Sequence, residues 1–169
     1  TLPDVTGNVV TTGDTSTVTE TMINGSLGKV LQVVQTESST QETFTSSSFT
    51  EASSLVLNIT PSSSSNKIMV FLDLGYTNWN NSSNDSYGYY RIKRTAPSTA
   101  NSLHSSQRLY DYGGSGAMIG SSNALNWLDS PSTTSQVTYK IEIAFITGTE
   151  SRINYAGMSS RLTAMEESA

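Results

Sequence analysis

The run from Leu128 to Ile143, LDSPSTTSQVTYKIEI, constrains the fold more than any other part of the chain. A turn-forming stretch leads straight into an alternation in which Val137, Tyr139, Ile141, Ile143 and Phe145 are apolar or aromatic, while Thr138, Lys140 and Glu142 stand between them. Period two marks a half-buried strand, because successive strand side chains point to opposite faces. No helix would place those five side chains together.

Composition points the same way. About a third of the 169 residues are Ser or Thr, and only 14% are charged. Ser, Thr, Asn and Gly disfavour helix interiors but suit turns and solvent-facing strand positions. The length fits one domain. The formal net charge of −5 is spread along the chain and gives no field to attract a polyanion, so nucleic acid is not an expected partner. There is no Cys, which removes disulfides and thiolate chemistry and leaves stability to burial or assembly. No apolar run approaches the roughly 20 residues that span a bilayer, and no signal-peptide pattern opens the chain, so membrane insertion is not expected. Thr1 is small enough to follow a removed initiator Met, as in a complete small protein.

Residues 1–27 hold only isolated apolar side chains, Val5, Val9, Val10, Val18, Met22 and Ile23, among Thr, Gly, Asp and Asn. Such a segment cannot fold alone: it is either a flexible tail or becomes ordered against another subunit or a larger assembly, and its Val and Thr content suits strand addition there. After Gly28 a succession of short strands is expected: 29–36, 44–50, 54–60, 67–79, 87–95, 107–112, 117–119, 124–128, 136–147, 152–158 and 161–165. Pro61–Asn66 and Gly148–Glu150 are turns by composition, and 78–85 and 96–106 are connections. This pattern predicts an all-β protein, a β-sandwich of jelly-roll type, with residues 28–169 as its single folded body.

In the 67–79 strand Ile68, Val70, Leu72, Leu74 and Tyr76 line one face, but Met69 and Phe71 occupy the other. A two-layer sandwich buries one face only. Met69 and Phe71 therefore need cover from a third element or from a neighbouring subunit, and a closed homo-oligomer would supply it.

Four segments carry a resemblance. Gly28–Val34 (GKVLQVV), Ile59–Ile68 (ITPSSSSNKI), LDSP at 128–131 with VTYK at 137–140, and Leu162–Glu166 (LTAME) together resemble, in order and spacing, a family of tailed-bacteriophage virion proteins common in marine phages. The chain departs from the family's usual ending by having Glu167-Ser168-Ala169 where an apolar residue follows Met165-Glu166. The resemblance implies a non-enzymatic accessory protein on the particle surface, with a short N-terminal segment before a trimeric β-sandwich head. It implies a homotrimer, and a capsid, tail or fibre protein as the partner of the 1–27 anchor.

Catalytic chemistry finds little footing. His104 is the only histidine, and no G-x-S-x-G elbow accompanies it. Asp73, Asp85, Asp111 and Asp129 form no D-x-D-x-D-G loop, Gly113–Gly116 lacks a following Lys-Ser or Lys-Thr, and no carboxylate pair recommends itself for glycoside cleavage. No cofactor or metal is expected. The aromatic set Trp79, Tyr87, Tyr89, Tyr90, Tyr110, Tyr112 and Trp127 suits a core or subunit contact, or stacking on a sugar. The alternative to a purely structural role is therefore an adhesin for a host surface glycan, with Asn78, Trp79, Asn81, Asp85 and Tyr87 as contacts at one end of the sandwich.

Overall fold

The computed structural model describes residues 29–80, 85–102, 105–110, 118–148 and 150–169. The strands in chain order are β1 (Val30–Ser38), β2 (Glu42–Phe44), β3 (Thr50–Ile59), β4 (Lys67–Asn80), β5 (Asp85–Ala96), β6 (Ala100–Asn101), β7 (Ser105–Tyr110), β8 (Met118–Asp129), β9 (Val137–Thr147), β10 (Glu150–Ile153) and β11 (Ser160–Glu167). Among the described residues all ladders are antiparallel.

One sheet runs β1-β11-β4-β8, with β10 and β2 extending it beside the far end of β4; the other runs β3-β9-β5-β7, with β6 on β5. Taking β1, β3, β4, β5, β7, β8, β9 and β11 in sequence, the first strand pairs with the last, and the chain changes sheet at every step except from β5 to β7, which pair with each other. That is the jelly roll.

The core lies between the sheets, and its pattern is the alternation of the sequence. Ile68, Val70, Leu72 and Leu74 of β4 face Leu55, Leu57 and Ile59 of β3 and Val137, Tyr139, Ile141, Ile143 and Phe145 of β9, all buried in one cluster. Truncating one of these to Ala would cost about 2–5 kcal/mol.

Several boundaries differ from the expected ones. The segment 44–50 is not a strand: β2 ends at Phe44, whose side chain is buried, and β3 begins at Thr50 with a bulge between Ala52 and Val56. Glu42 sets that bulge, accepting from the backbone N–H and the hydroxyl of both Ser53 and Ser54. The pieces 117–119 and 124–128 are one strand, β8, because β4 is long enough to pair with all of it. The 152–158 strand stops at Ile153. Asn154 and Ala156 take left-handed backbone (φ 54° and 57°), and Tyr155–Gly157 form a 3-10 turn. His104 and residues 1–28 lie outside the described residues.

The last strand is fixed by an acid. Glu166 is buried, and its carboxylate accepts from the Ser62 backbone and hydroxyl (2.7 and 2.8 Å), Asn66 Nδ2 (2.6 Å) and Gln32 Nε2 (2.5 Å). The Pro-Ser turn thus closes onto β11, and no apolar residue is needed after Glu166.

Candidate functional site

The outer face of the β1-β11-β4-β8 sheet is the site the sequence singles out. Register determines what it displays. Val33 pairs with Met165, Met165 with Met69 and Met69 with Leu128, so four strands contribute one continuous apolar row. Val33 is 58% exposed and Leu128 44% exposed, while Met69 and Met165 are half-buried by their neighbours. Val30 and Leu31, also exposed, lie at the start of β1.

The next row outward is Gln35, Thr163, Phe71 and Asn126, and the one after it Glu37, Arg161, Asp73 and Ala124. Phe71 is 40% exposed. Gln35 Nε2 donates to Thr163 Oγ1 at 3.1 Å, and Arg161 Nε donates to Glu37 Oε2 at 3.1 Å. The Arg161 hydrogen bond, helped by Ser159, holds the Glu37 carboxyl below its usual range. Between these rows lies an open hollow of about 550 Å³, with Leu72 and Leu125 also in its lining.

Met69 and Phe71 therefore stand on one solvent-facing surface, and with them Val33, Met165 and Leu128, which the sequence reading missed. The missing signal was weak but present. KVLQVVQT, LTAME and ALNWL each carry apolar residues in both phases of the alternation, and only the register brings the outward ones into line.

Of the residues considered for a glycan site, Asn78 and Trp79 stand near the end of β4 and Asp85 and Tyr87 at the start of β5, on either side of residues 81–84. Asn78 and Trp79 belong to β4, where they pair with Arg152 and Ser151 of β10 on one side and with Gly120 and Ile119 of β8 on the other. With partners on both edges the ladder continues to Asn80, into the segment expected as a 78–85 loop. Asp85 and Tyr87 begin β5, in the other sheet; Tyr87 is half-buried and meets Tyr89 edge-to-face at 6.1 Å. Asn81 lies outside the described residues, as do Val5, Val9, Val10, Val18, Met22 and Ile23.

Other polar groups considered from sequence are spent inside the fold. Asp129 is buried at the end of β8, where Arg94 Nη1 donates to both its oxygens (2.8 and 2.7 Å) and the Tyr139 hydroxyl donates to Oδ2 (2.7 Å). Burial, then the bond to Asp129, pushes the Tyr139 phenol well above its ordinary range. Trp127 stands edge-to-face on Tyr139 at 5.9 Å. On the second sheet Glu142, expected to face solvent, is buried: Arg91 and Lys93 pair with it at 2.6 and 2.7 Å, and the Arg91 guanidinium lies 3.9 Å over the Phe49 ring. Ahead of β3, Ser46 O accepts from the Phe145 N–H at 2.8 Å and so sits beside the edge of β9. Among the described residues no cluster of three or more His, Cys, Asp or Glu could hold a metal ion.

No protein-family model and no curated protein matches the chain. Among solved structures it is similar to the VP2 subviral particle of infectious bursal disease virus, at 13% identity and a TM-score of 0.47, over 79% of this chain and 32% of that one. It is also similar to the Gt strain of the same virus, at 14% identity and a TM-score of 0.42, over 82% and 38%. The chain thus spans about a third of those proteins, and a likeness so remote carries no function.

Proposed function

We propose that the chain is a structural, non-enzymatic accessory protein of a phage particle, of fibre or decoration type. It works by binding: copies associate as a homotrimer through the outer face of the β1-β11-β4-β8 sheet, and residues 1–27 anchor the assembly to a capsid, tail or fibre protein. The single observation that carries this reading is the apolar row Val33, Met165, Met69 and Leu128, displayed in register on a face that the sandwich itself leaves open. Exposed apolar area of this kind favours association, at roughly 25 cal/mol per Å² removed from water. The virion setting and the number three come from the sequence resemblance. Three weak anchors held together act at a high effective concentration, which suits attachment to a repetitive particle.

The test is solution mass by light scattering, for the full chain and for a Met69→Lys, Leu128→Lys double variant. The wild type is expected at the trimer mass and the variant at the monomer mass with its circular dichroism unchanged. A monomeric wild type at tens of micromolar would overturn the self-association.

A further inference from the structure

The hollow beside Phe71 has a lining that the apolar row does not explain. Phe71 presents a ring to solvent, flanked across the strands by Thr163 and Asn126, while Asp73 lies two residues along the same strand and Ala124 sits opposite Asp73. Ala124 is small, so the face dips there; Leu72 and Leu125 complete the lining.

The polar groups round the ring have hydrogen-bonding capacity to spare. Arg161 commits its Nε to Glu37, a bond that does not use the terminal nitrogens of its guanidinium. Gln35 commits its Nε2 to Thr163, which leaves its carbonyl oxygen as an acceptor. Asp73 and Asn126 are exposed. An interface core tends to be depleted of charged groups, and this hollow has the opposite chemistry: one aromatic plane ringed by a carboxylate, two amides and a guanidinium.

We propose that this hollow is a saccharide-binding subsite that takes one hexose unit of a longer glycan. The C–H face of the sugar ring would lie on Phe71, Asp73 and Gln35 would accept from its hydroxyls, and Asn126 and Arg161 would donate to its oxygens. A hollow of about 550 Å³ falls within the usual range for small-ligand sites. It begins one row beyond Met69, roughly 7 Å along the strand, so sugar binding and association draw on neighbouring rows of one face. The site places glycan recognition on a sheet face instead of a loop, and it does not depend on the trimer.

The experiment uses the full chain on an array of glucose, galactose, mannose and N-acetylhexosamine oligosaccharides. Binding is quantified by calorimetry for the best binder, and light scattering is run on every sample. The wild type is expected to bind at least one oligosaccharide, with Asp73→Ala and Asn126→Ala each weakening it tenfold or more at unchanged mass, and Phe71→Ala abolishing it. Asp73 and Asn126 face solvent outside the apolar row, so their loss separates sugar binding from association. Absence of binding to every oligosaccharide at millimolar concentration, or equal affinity in the Asp73→Ala and Asn126→Ala variants, would overturn the proposal; a changed mass with binding retained would count against the trimer alone.

Discussion

Replacing Glu166 by Gln keeps the size of the side chain and removes its charge. Burial alone would raise the Glu166 carboxyl, but hydrogen bonds from Asn66, Gln32 and Ser62 outweigh it and hold the pKa to about 2. A folded-state value below the ordinary 4.5 means that the acid stabilises the fold above about pH 4.5 and loses that contribution as pH falls towards 2. Glu166→Gln should therefore lower stability at pH 7 by on the order of 2 kcal/mol, with the gap to wild type narrowing below pH 4 in urea titrations. Gly75 sets a different kind of limit. A Cβ there would lie 2.8 Å from the Ser159 carbonyl carbon, and that segment is held by Ser160 Oγ, which accepts from the Gly75 N–H at 3.0 Å. Gly75→Ala should destabilise by about 1–3 kcal/mol, read as a lower thermal midpoint. Neither role could be read from the sequence, since the partners lie up to 134 residues away.

At the scale of elements, β9 was legible and its surroundings were not. Its alternation predicted the buried face from Val137 to Phe145, which the core contains. On the other face Glu142 is paired with Arg91 and Lys93, and Arg91 lies over Phe49 of a segment whose sequence looked like a strand and is not one. The same holds for β4: Met69 and Phe71 could be picked out by phase, whereas their alignment with Val33, Met165 and Leu128 is a property of register between distant strands. The Arg94–Asp129–Tyr139 cluster joins β5, β8 and β9, and so couples the two sheets at one end. Asp129→Ala would leave a buried guanidinium unpaired and should cost about 3–5 kcal/mol, against about 1 kcal/mol for Tyr139→Phe, which removes one hydrogen bond. Paired chemical denaturation of the two variants measures the difference.

For the whole molecule, the open apolar row makes stability depend on concentration. If copies associate through it, the thermal midpoint should rise as protein concentration is raised a hundredfold, and Leu128→Lys should flatten that dependence. The jelly roll also carries a consequence in time. Lys29 and Ser168 clasp each other through two backbone-anchored hydrogen bonds (3.1 and 3.0 Å), and between β1 and β4 lies β11, the last strand of the sequence. A growing chain on the ribosome can make β3, β4 and β5 early, yet the interior of one sheet stays unfilled until β11 has emerged. Completion is therefore a late, long-range event in synthesis, slow by topology, and until it happens β1 and β4 both present bare edges to other nascent chains.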